Sequence, residues 1–374
     1  MDKVLKLFLK KLTAIFLIIL VVFSAGSPVY ASSLEQVFSV NDVINKTSEY
    51  MMENAEYFSG AWSVTGLARS DVSVKGEYYN NYYEALKAAL EENEGVLSKR
   101  KYTEYSAAVI ALTAIDKDPS CIGGYNLFEK LSDFNNVVYQ GINGPIYALL
   151  ALDAGGYDFA PLDGIINITT REKLIDYILA REIAGGGWSM GEDTPDPDVT
   201  AMALQSLSKY KDMPKVKQAI NRGLKVLSNI QKNDGGYESW GTYNSESNAQ
   251  VIIALCSLDI NPVTDEDFIK NGNNVLMNFI DNFYVESKGG FGHVDGTDID
   301  LMATNQGFSA LVAYDRFIKD KASFYDISDV EKNYSEKYSG TKFLEGNDYE
   351  DEKNLAAFGT FIFNLIFIPL FPNI

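Results

Sequence analysis

Five Gly-Gly-aromatic triplets recur along this chain: Gly123-Gly124-Tyr125, Gly155-Gly156-Tyr157, Gly186-Gly187-Trp188, Gly235-Gly236-Tyr237 and Gly289-Gly290-Phe291. After each of the last three comes a polar loop and then an apolar, alanine-rich stretch, around Ala201-Met202-Ala203-Leu204, Ile252-Ile253-Ala254-Leu255 and Phe308-Ser309-Ala310-Leu311. A motif repeated about every 50 residues marks a repeat architecture, in which each unit buries its face only against its neighbours. The period therefore decides the fold, and the fold decides where a ligand can sit.

The alanine-rich stretches register on their Ala-Leu or Gly-Leu steps: Gly66-Leu67, Ala111-Leu112, Ala148-Leu149, Ala203-Leu204, Ala254-Leu255 and Ala310-Leu311. Six such steps at helical-hairpin spacing predict six helices buried on all sides, an inner ring. Between them run amphipathic segments over residues 34–51, 82–97, 173–180, 216–231 and 268–283. In residues 216–231 the apolar stripe reads Ile220, Leu224, Leu227 and Ile230. These half-exposed segments form the outer ring of an all-α, α6/α6 toroid, alternating outer and inner helices, expected over residues 35–328. The Gly pairs are expected to end outer helices through left-handed C-caps. The aromatics that follow, Trp188, Tyr237 and Phe291, are expected to wedge between hairpins.

The flanks read differently. Residues 1–31 read as a secretory signal peptide, with Lys3, Lys6, Lys10 and Lys11 ahead of an apolar run and Val29-Tyr30-Ala31 at the cleavage site. An uncleaved membrane anchor is the alternative. Removing the leader takes away four lysines and one aspartate, moving the formal charge from -19 to -22. So acidic a surface repels nucleic acid and anionic lipid, and no basic stripe opposes it, so nucleic acid is excluded as a partner. Residues 329–353 form a charged linker. Residues 354–374 form an apolar tail long enough to cross a bilayer, though broken by Pro369 and Pro372. That tail reads either as a C-terminal membrane attachment or as a segment packed on the ring. Cys121 and Cys256 lie several repeats apart and are expected to be buried single thiols.

On these residues the chain resembles the terpenoid cyclase and protein prenyltransferase toroid superfamily, and within it the secreted bacterial proteins with prenyltransferase/squalene-oxidase repeats. Residues 141–152, the hairpin from Gly186 to Leu204, and residues 231–262 carry the resemblance. It implies the toroid fold and leaves several functions open. The superfamily holds cyclases, zinc-dependent prenyltransferases, thioester-containing complement-like domains, and the cobalamin carriers transcobalamin and intrinsic factor.

Each relative needs its own chemistry. The cyclases' Asp-x-Asp-Asp-Thr-Ala motif corresponds to Asp196-Pro197-Asp198-Val199-Thr200-Ala201, which matches Asp198 to the general acid but puts Val199 where its acidic neighbour belongs. Protonating an alkene needs a carboxylic acid kept protonated by its surroundings, so Asp198 is the candidate catalytic residue. Its structural alternative is the N-cap of an inner helix. A prenyltransferase zinc site needs Asp, Cys and His; the lone His293 has no cysteine at ligand spacing, and no metal site is expected. Loops 192–198 and 295–300 are acidic without EF-hand spacing, and helix capping is their expected role. The thioester sequence Cys-x-Glu-Gln is absent.

A shared rim is what the sequence leaves. All six inner helices are expected to enter from one end, carrying Asn143, Asp196, Asp198, Glu246, Ser247 and Asn305. Aromatics flank them: Trp62, Tyr105, Tyr147, Trp188, Tyr237, Trp240 and Phe291. An aromatic mouth with a few polar groups is the usual form of a ligand site. The expected function is a secreted or cell-surface binding module without cofactor. Its partner would be a bulky small molecule, hydrophobic or corrinoid-like, or a surface partner. The alternative is an isoprenoid-processing, terpene cyclase-like enzyme using Asp198 as general acid.

Overall fold

The computed structural model describes residues 28–159 and 164–331. Residues 1–27 of the leader, most of the charged linker and the whole apolar tail lie outside the described residues. The export and membrane-attachment expectations lie there too. The chain divides into two compact units, Met1–Val43 and Ile44–Ile374. Of the first, only the opening turns of one helix are described.

Among the described residues there are thirteen α-helices and three two-residue antiparallel ladders. Six helices carry the Ala-Leu or Gly-Leu steps: α2 (Ala61–Arg69), α4 (Thr103–Ala114), α7 (Asn143–Gly155), α9 (Pro197–Leu207), α11 (Ser245–Ser257) and α13 (Leu301–Ile318). Alternating with them are α1 (Pro28–Glu53), α3 (Gly76–Glu92), the short α5 (Leu127–Leu131) and α6 (Phe134–Val137), α8 (Arg171–Ala180), α10 (Pro214–Ile230) and α12 (Val275–Phe283). None of the described helices is long and apolar enough to cross a membrane.

The two sets differ in burial as their side chains dictate. Every residue of α9 is buried, as is α11 from Ser245 to Cys256 and all of α4 except Glu104. Small side chains allow this close approach on every side. By contrast α3 buries only Tyr82, Leu86 and Leu90, a single face at helical spacing. On α10 the buried stripe is Val216, Ala219, Ile220, Gly223 and Leu227, with Leu224 and Ile230 only half-buried. The stripe is turned from the expected one because Gly223 lies under Trp188. A Cβ there would come within 3.0 Å of the Trp188 ring and of Leu204.

The six alanine-rich helices pack in order, α2 on α4, α4 on α7, α7 on α9, α9 on α11, α11 on α13, and α13 on α2. Buried polar bonds follow part of that order. Gln205 Nε2 donates to the carbonyl and Oε1 of Gln250, both at 2.9 Å, and Gln250 Nε2 donates to Gln306 Oε1 at 2.8 Å. Ser63 Oγ on α2 donates to Asn305 Oδ1 on α13 at 2.6 Å. At the C-terminal ends of these two helices sit two buried arginines. Arg69 donates to Asp329 at 2.5 Å and to the carbonyls of Ser323, Phe324 and Asp326. Arg316 donates to the carbonyls of Arg69 and Ala322 and to the other oxygen of Asp329. The segment after α13 is thereby strapped down, and Ile327 N–H reaches the carbonyl of Ala154 on α7 at 3.2 Å.

The Gly-Gly-aromatic triplets do a different job from the expected one. Helices α8 and α10 end at Ala180 and Ile230, and their C-cap residues Arg181 and Gln231 are not left-handed. Of the five triplets only Gly155-Gly156-Tyr157 caps a helix, the alanine-rich α7, through Gly156 at φ 68°. The later triplets instead form tight turns beyond the helix. In one, Gly186 N–H donates to Ile183 and Ile183 N–H to Gly187; in the next, Gly235 N–H donates to Lys232 and Lys232 N–H to Gly236. Gly is needed because the turn presses on backbone. A Cβ on Gly235, at φ +91°, would lie 2.6 Å from the Asn274 carbonyl, and one on Gly289 would lie 2.9 Å from the Lys46 carbonyl.

The aromatic that follows each turn is fully buried and its backbone is anchored. Trp188 N–H donates to Thr200 Oγ1 at 2.9 Å, Tyr237 N–H to Asn248 Oδ1 at 2.8 Å, and Phe291 N–H to Thr304 Oγ1 at 3.0 Å. Both threonine hydroxyls also donate back to the carbonyl of the same aromatic. Thr200→Val and Thr304→Val keep the shape and remove both bonds, stranding a buried N–H while the carbonyls keep their bonds from the Asp196 and Asp300 N–H groups. Each is expected to cost about 1–3 kcal/mol in urea unfolding. A loss below about 0.5 kcal/mol, the range of surface substitutions, would show that the anchors contribute nothing.

Neither cysteine is paired. Cys256 is buried as expected, whereas Cys121 is exposed, because it follows α4 in a surface turn rather than packing beneath it.

Candidate functional site

Helices α9, α11 and α13 open with N-caps of one kind. Asp196 Oδ1 accepts from the N–H groups of Asp198 and Val199 at 2.9 and 3.0 Å. Asn244 Oδ1 accepts from Ser247 N–H, and Asp300 Oδ1 from Ala303 N–H, each at 2.8 Å. The cap of α9 is thus Asp196 and not Asp198, with Pro197 at the first helical position. Asp198 has no capping duty, yet it is buried in the first turn.

Its surroundings are unusual for a carboxylate. Asp198 Oδ1 takes no hydrogen bond from the described residues. Burial first, and repulsion from Asp196 second, push its carboxyl well above the ordinary range; Glu246 adds to the shift, while Ser247 and His293 oppose it. Ser239 Oγ donates to the outer oxygen of Asp196. Glu246 is buried with Oε2 at 2.8 Å from His293 Nδ1 and at 3.2 Å from Ser245 Oγ, leaving Oε1 without a partner. That bond to Glu246 raises the pKa of His293 against the opposing effect of its partial burial. A backbone bond from Ser245 N–H to the His293 carbonyl, 3.0 Å, ties the loop before α13 to the start of α11.

Aromatic surface adjoins the acids. Burial and the nearby Asp198 raise the Tyr147 hydroxyl pKa, and that hydroxyl lies 3.2 Å from Met202 Sδ. The Trp62 ring is 5.4 Å from Tyr147 and 6.4 Å, edge-on, from Tyr325. Asn143 stands one turn before Tyr147 on α7, its Oδ1 buried and unpartnered. The structure therefore gathers Asp196, Asp198, Glu246, Tyr147 and Trp62, with Asn143 on the same end of α7.

The remaining sequence-predicted residues sit elsewhere. Trp188 and Tyr237 are fully buried, and Trp188 Nε1 donates to the Ile178 carbonyl at 2.8 Å. Tyr105 is also fully buried, its hydroxyl meeting the backbone of Leu97 and Ser98. Asn305 is held by Ser63, and Trp240 lies at the surface on a left-handed residue, φ 53°. The His293–Glu246 pair went unread, because no local pattern joins two residues 47 positions apart.

A second feature lies at the C-terminal ends of the same helices. A cavity of about 300 Å³ is walled by residues including Gln205, Ser257 and Tyr325, and none of the sequence-predicted site residues lines it. Among the described residues no group of three His, Cys, Asp or Glu side chains is placed to hold a metal ion.

Asp198 and His293 give the fold a pH dependence of definite sign. Below pH 3.8 Asp198 is protonated whether folded or not, and contributes nothing. As pH rises, the unfolded chain ionises first, so stability falls until the raised folded-state pKa is passed. His293, raised above 6.5, contributes stability that is whole below that value and is lost as pH rises through its folded pKa. Asp198→Asn is therefore expected to stabilise the protein at neutral pH and to change nothing below pH 3.8. Urea unfolding at both pH values checks it. A variant no more stable than wild type at neutral pH would contradict the raised carboxyl.

No protein-family model matches the chain, and no curated protein matches it significantly.

Proposed function

We propose that the six alanine-rich helices are the inner ring of an α6/α6 toroid. We further propose that the protein is an exported or cell-surface binding module, taking a bulky small molecule at the N-terminal ends of those helices. The ring reading is supported by the order of packing, which returns from α13 to α2, and by the alternation with half-buried helices.

One observation carries the functional reading. Four buried oxygens in the first turns of α7, α9 and α11 take no hydrogen bond of ordinary geometry from the described residues: Asn143 Oδ1, Asp198 Oδ1, Glu246 Oε1 and Ser247 Oγ, the last lying close enough to the Asp198 carboxyl to oppose its upward shift. Each such group costs about 1–3 kcal/mol when left unpaired. A ligand with amide or hydroxyl donors around an apolar body would pair them and lay that body on Trp62 and Tyr147. A corrinoid, a broad macrocycle fringed by primary amides, has this chemistry, and resemblance to the cobalamin carriers points the same way. Titration with cobinamide, cobalamin and prenyl diphosphates tests the class. Saturable binding confined to the corrinoids is expected, and binding confined to the diphosphates would overturn it.

The raised carboxyl of Asp198 favours a second reading, an isoprenoid-processing enzyme in which that acid protonates an alkene. Product analysis with squalene and shorter prenyl substrates separates the two. Turnover by wild type that Asp198→Asn abolishes would establish the enzyme; no product from either protein would leave the binding module.

A further inference from the structure

The cavity of about 300 Å³ lies at the C-terminal ends of α7, α9 and α11, against the strap that follows α13. Its hydrogen-bonding groups are unevenly spent. The ammonium of Lys211 is held by Asp259 at 2.5 Å and that of Lys321 by Asp71 at 2.5 Å, while Lys209 reaches the Asp153 carbonyl at 3.3 Å. Three of the four lining serine hydroxyls are committed as donors too. Ser206 donates to Ala203, Ser208 to Gln205 and Ser257 to Ile253, each to a carbonyl of its own helical segment. What these serines have left is acceptor lone pairs.

Acceptors, in contrast, are in surplus. Gln205 is only 3% exposed and lines the cavity; its Nε2 is taken by Gln250, and its Oε1 has no partner among the described residues. Asp212 has no partner there either, and Asp326 accepts only from Ser328 N–H through its side chain. The C-terminal ends of α7, α9 and α11 border the same space, adding the negative ends of their dipoles. Tyr325 supplies an aromatic ring to one wall.

We propose that this cavity binds a small linear polyamine, whose ammonium groups bring N–H donors and positive charge to a wall of unpaired acceptors. Each ammonium offers three donors and no acceptor, the complement of what the cavity presents. A tyrosine ring adds cation–π attraction. The volume is at the small end for ligand sites, which suits a thin flexible chain rather than a macrocycle. The site lies at the opposite ends of the helices from the proposed small-molecule site, and Tyr325 links the two through its ring contact with Trp62.

Calorimetric titration of the full chain with spermidine, putrescine, free lysine and tetramethylammonium tests this. Saturable one-site binding of spermidine is expected, with tetramethylammonium, which has charge but no N–H, at least tenfold weaker. The pair Asp212→Asn and Asp326→Asn should weaken spermidine at least tenfold. The pair Glu77→Gln and Glu92→Gln on α3 makes the same change of charge at residues that do not line the cavity and should leave binding unchanged. Equal affinity for tetramethylammonium, or equal loss in both pairs, would reduce the effect to diffuse attraction by an acidic surface and overturn the site. Lysine binding more tightly than either polyamine would overturn the polyamine assignment.

Discussion

Arg69→Ala is expected to destabilise the protein by about 3–5 kcal/mol, the cost of removing one partner from a buried ionic cluster. The Arg69 side chain is almost wholly inaccessible and holds Asp329 together with the carbonyls of Ser323, Phe324 and Asp326. Alanine would strand the carbonyls of Phe324 and Asp326, weaken the hold on Ser323 and leave Asp329 to Arg316 alone. It would also loosen the strap that places Phe324 and Ile327 in the core. Lys321→Ala provides the contrast, because its pair with Asp71 is exposed and worth at most about 1 kcal/mol. Urea unfolding of the two variants checks the prediction. A loss below about 1 kcal/mol for Arg69→Ala would mean that the strap is not part of the cooperative fold.

Trp188→Ala carries a comparable expectation, a loss of about 3–5 kcal/mol. The ring is fully buried against Gly223 and Leu204, and its indole N–H is satisfied by the Ile178 carbonyl. Because Trp188 is also a candidate ligand residue, stability and affinity should be measured together. Trp188→Phe retains much of the ring and is expected to recover most of the stability. A stable alanine variant that has lost its ligand would move Trp188 from the core into the site.

Much of the fold was legible because burial on all sides requires small residues. The Ala-Leu and Gly-Leu steps mark all six alanine-rich helices, from Gly66 to Leu311. The role of the turns is not legible in the sequence for a physical reason. Gly186 and Gly235 do not end helices; they allow a turn to press on the neighbouring helix or its start, at Arg222 and Asn274, and such a contact has no local signature. Their partner signal was available. Thr200, Asn248 and Thr304 each fall four residues after the N-caps Asp196, Asn244 and Asp300, and each anchors the preceding aromatic.

The candidate site was legible only in part. Asp198, Glu246 and Asn143 could be found because they lie in the first turns of alanine-rich helices. That Asp196 would take the capping role, freeing Asp198, depends on Pro197 fixing the first helical position. The pairing of His293 with Glu246 and the strap through Arg69 join distant repeats, so only three-dimensional packing reveals them.

Ligand binding at the N-terminal ends is tested most directly by titrating cobinamide into wild type, Asp198→Ala and Asp212→Asn. Asp198→Ala removes one of the four unpaired oxygens, and Asp212 lies at the other end of the helices. Saturable binding to wild type should weaken at least tenfold in Asp198→Ala, matching about 1.4 kcal/mol, and stay unchanged in Asp212→Asn. No saturable binding, or equal affinity in all three proteins, would contradict a ligand site at Asp198.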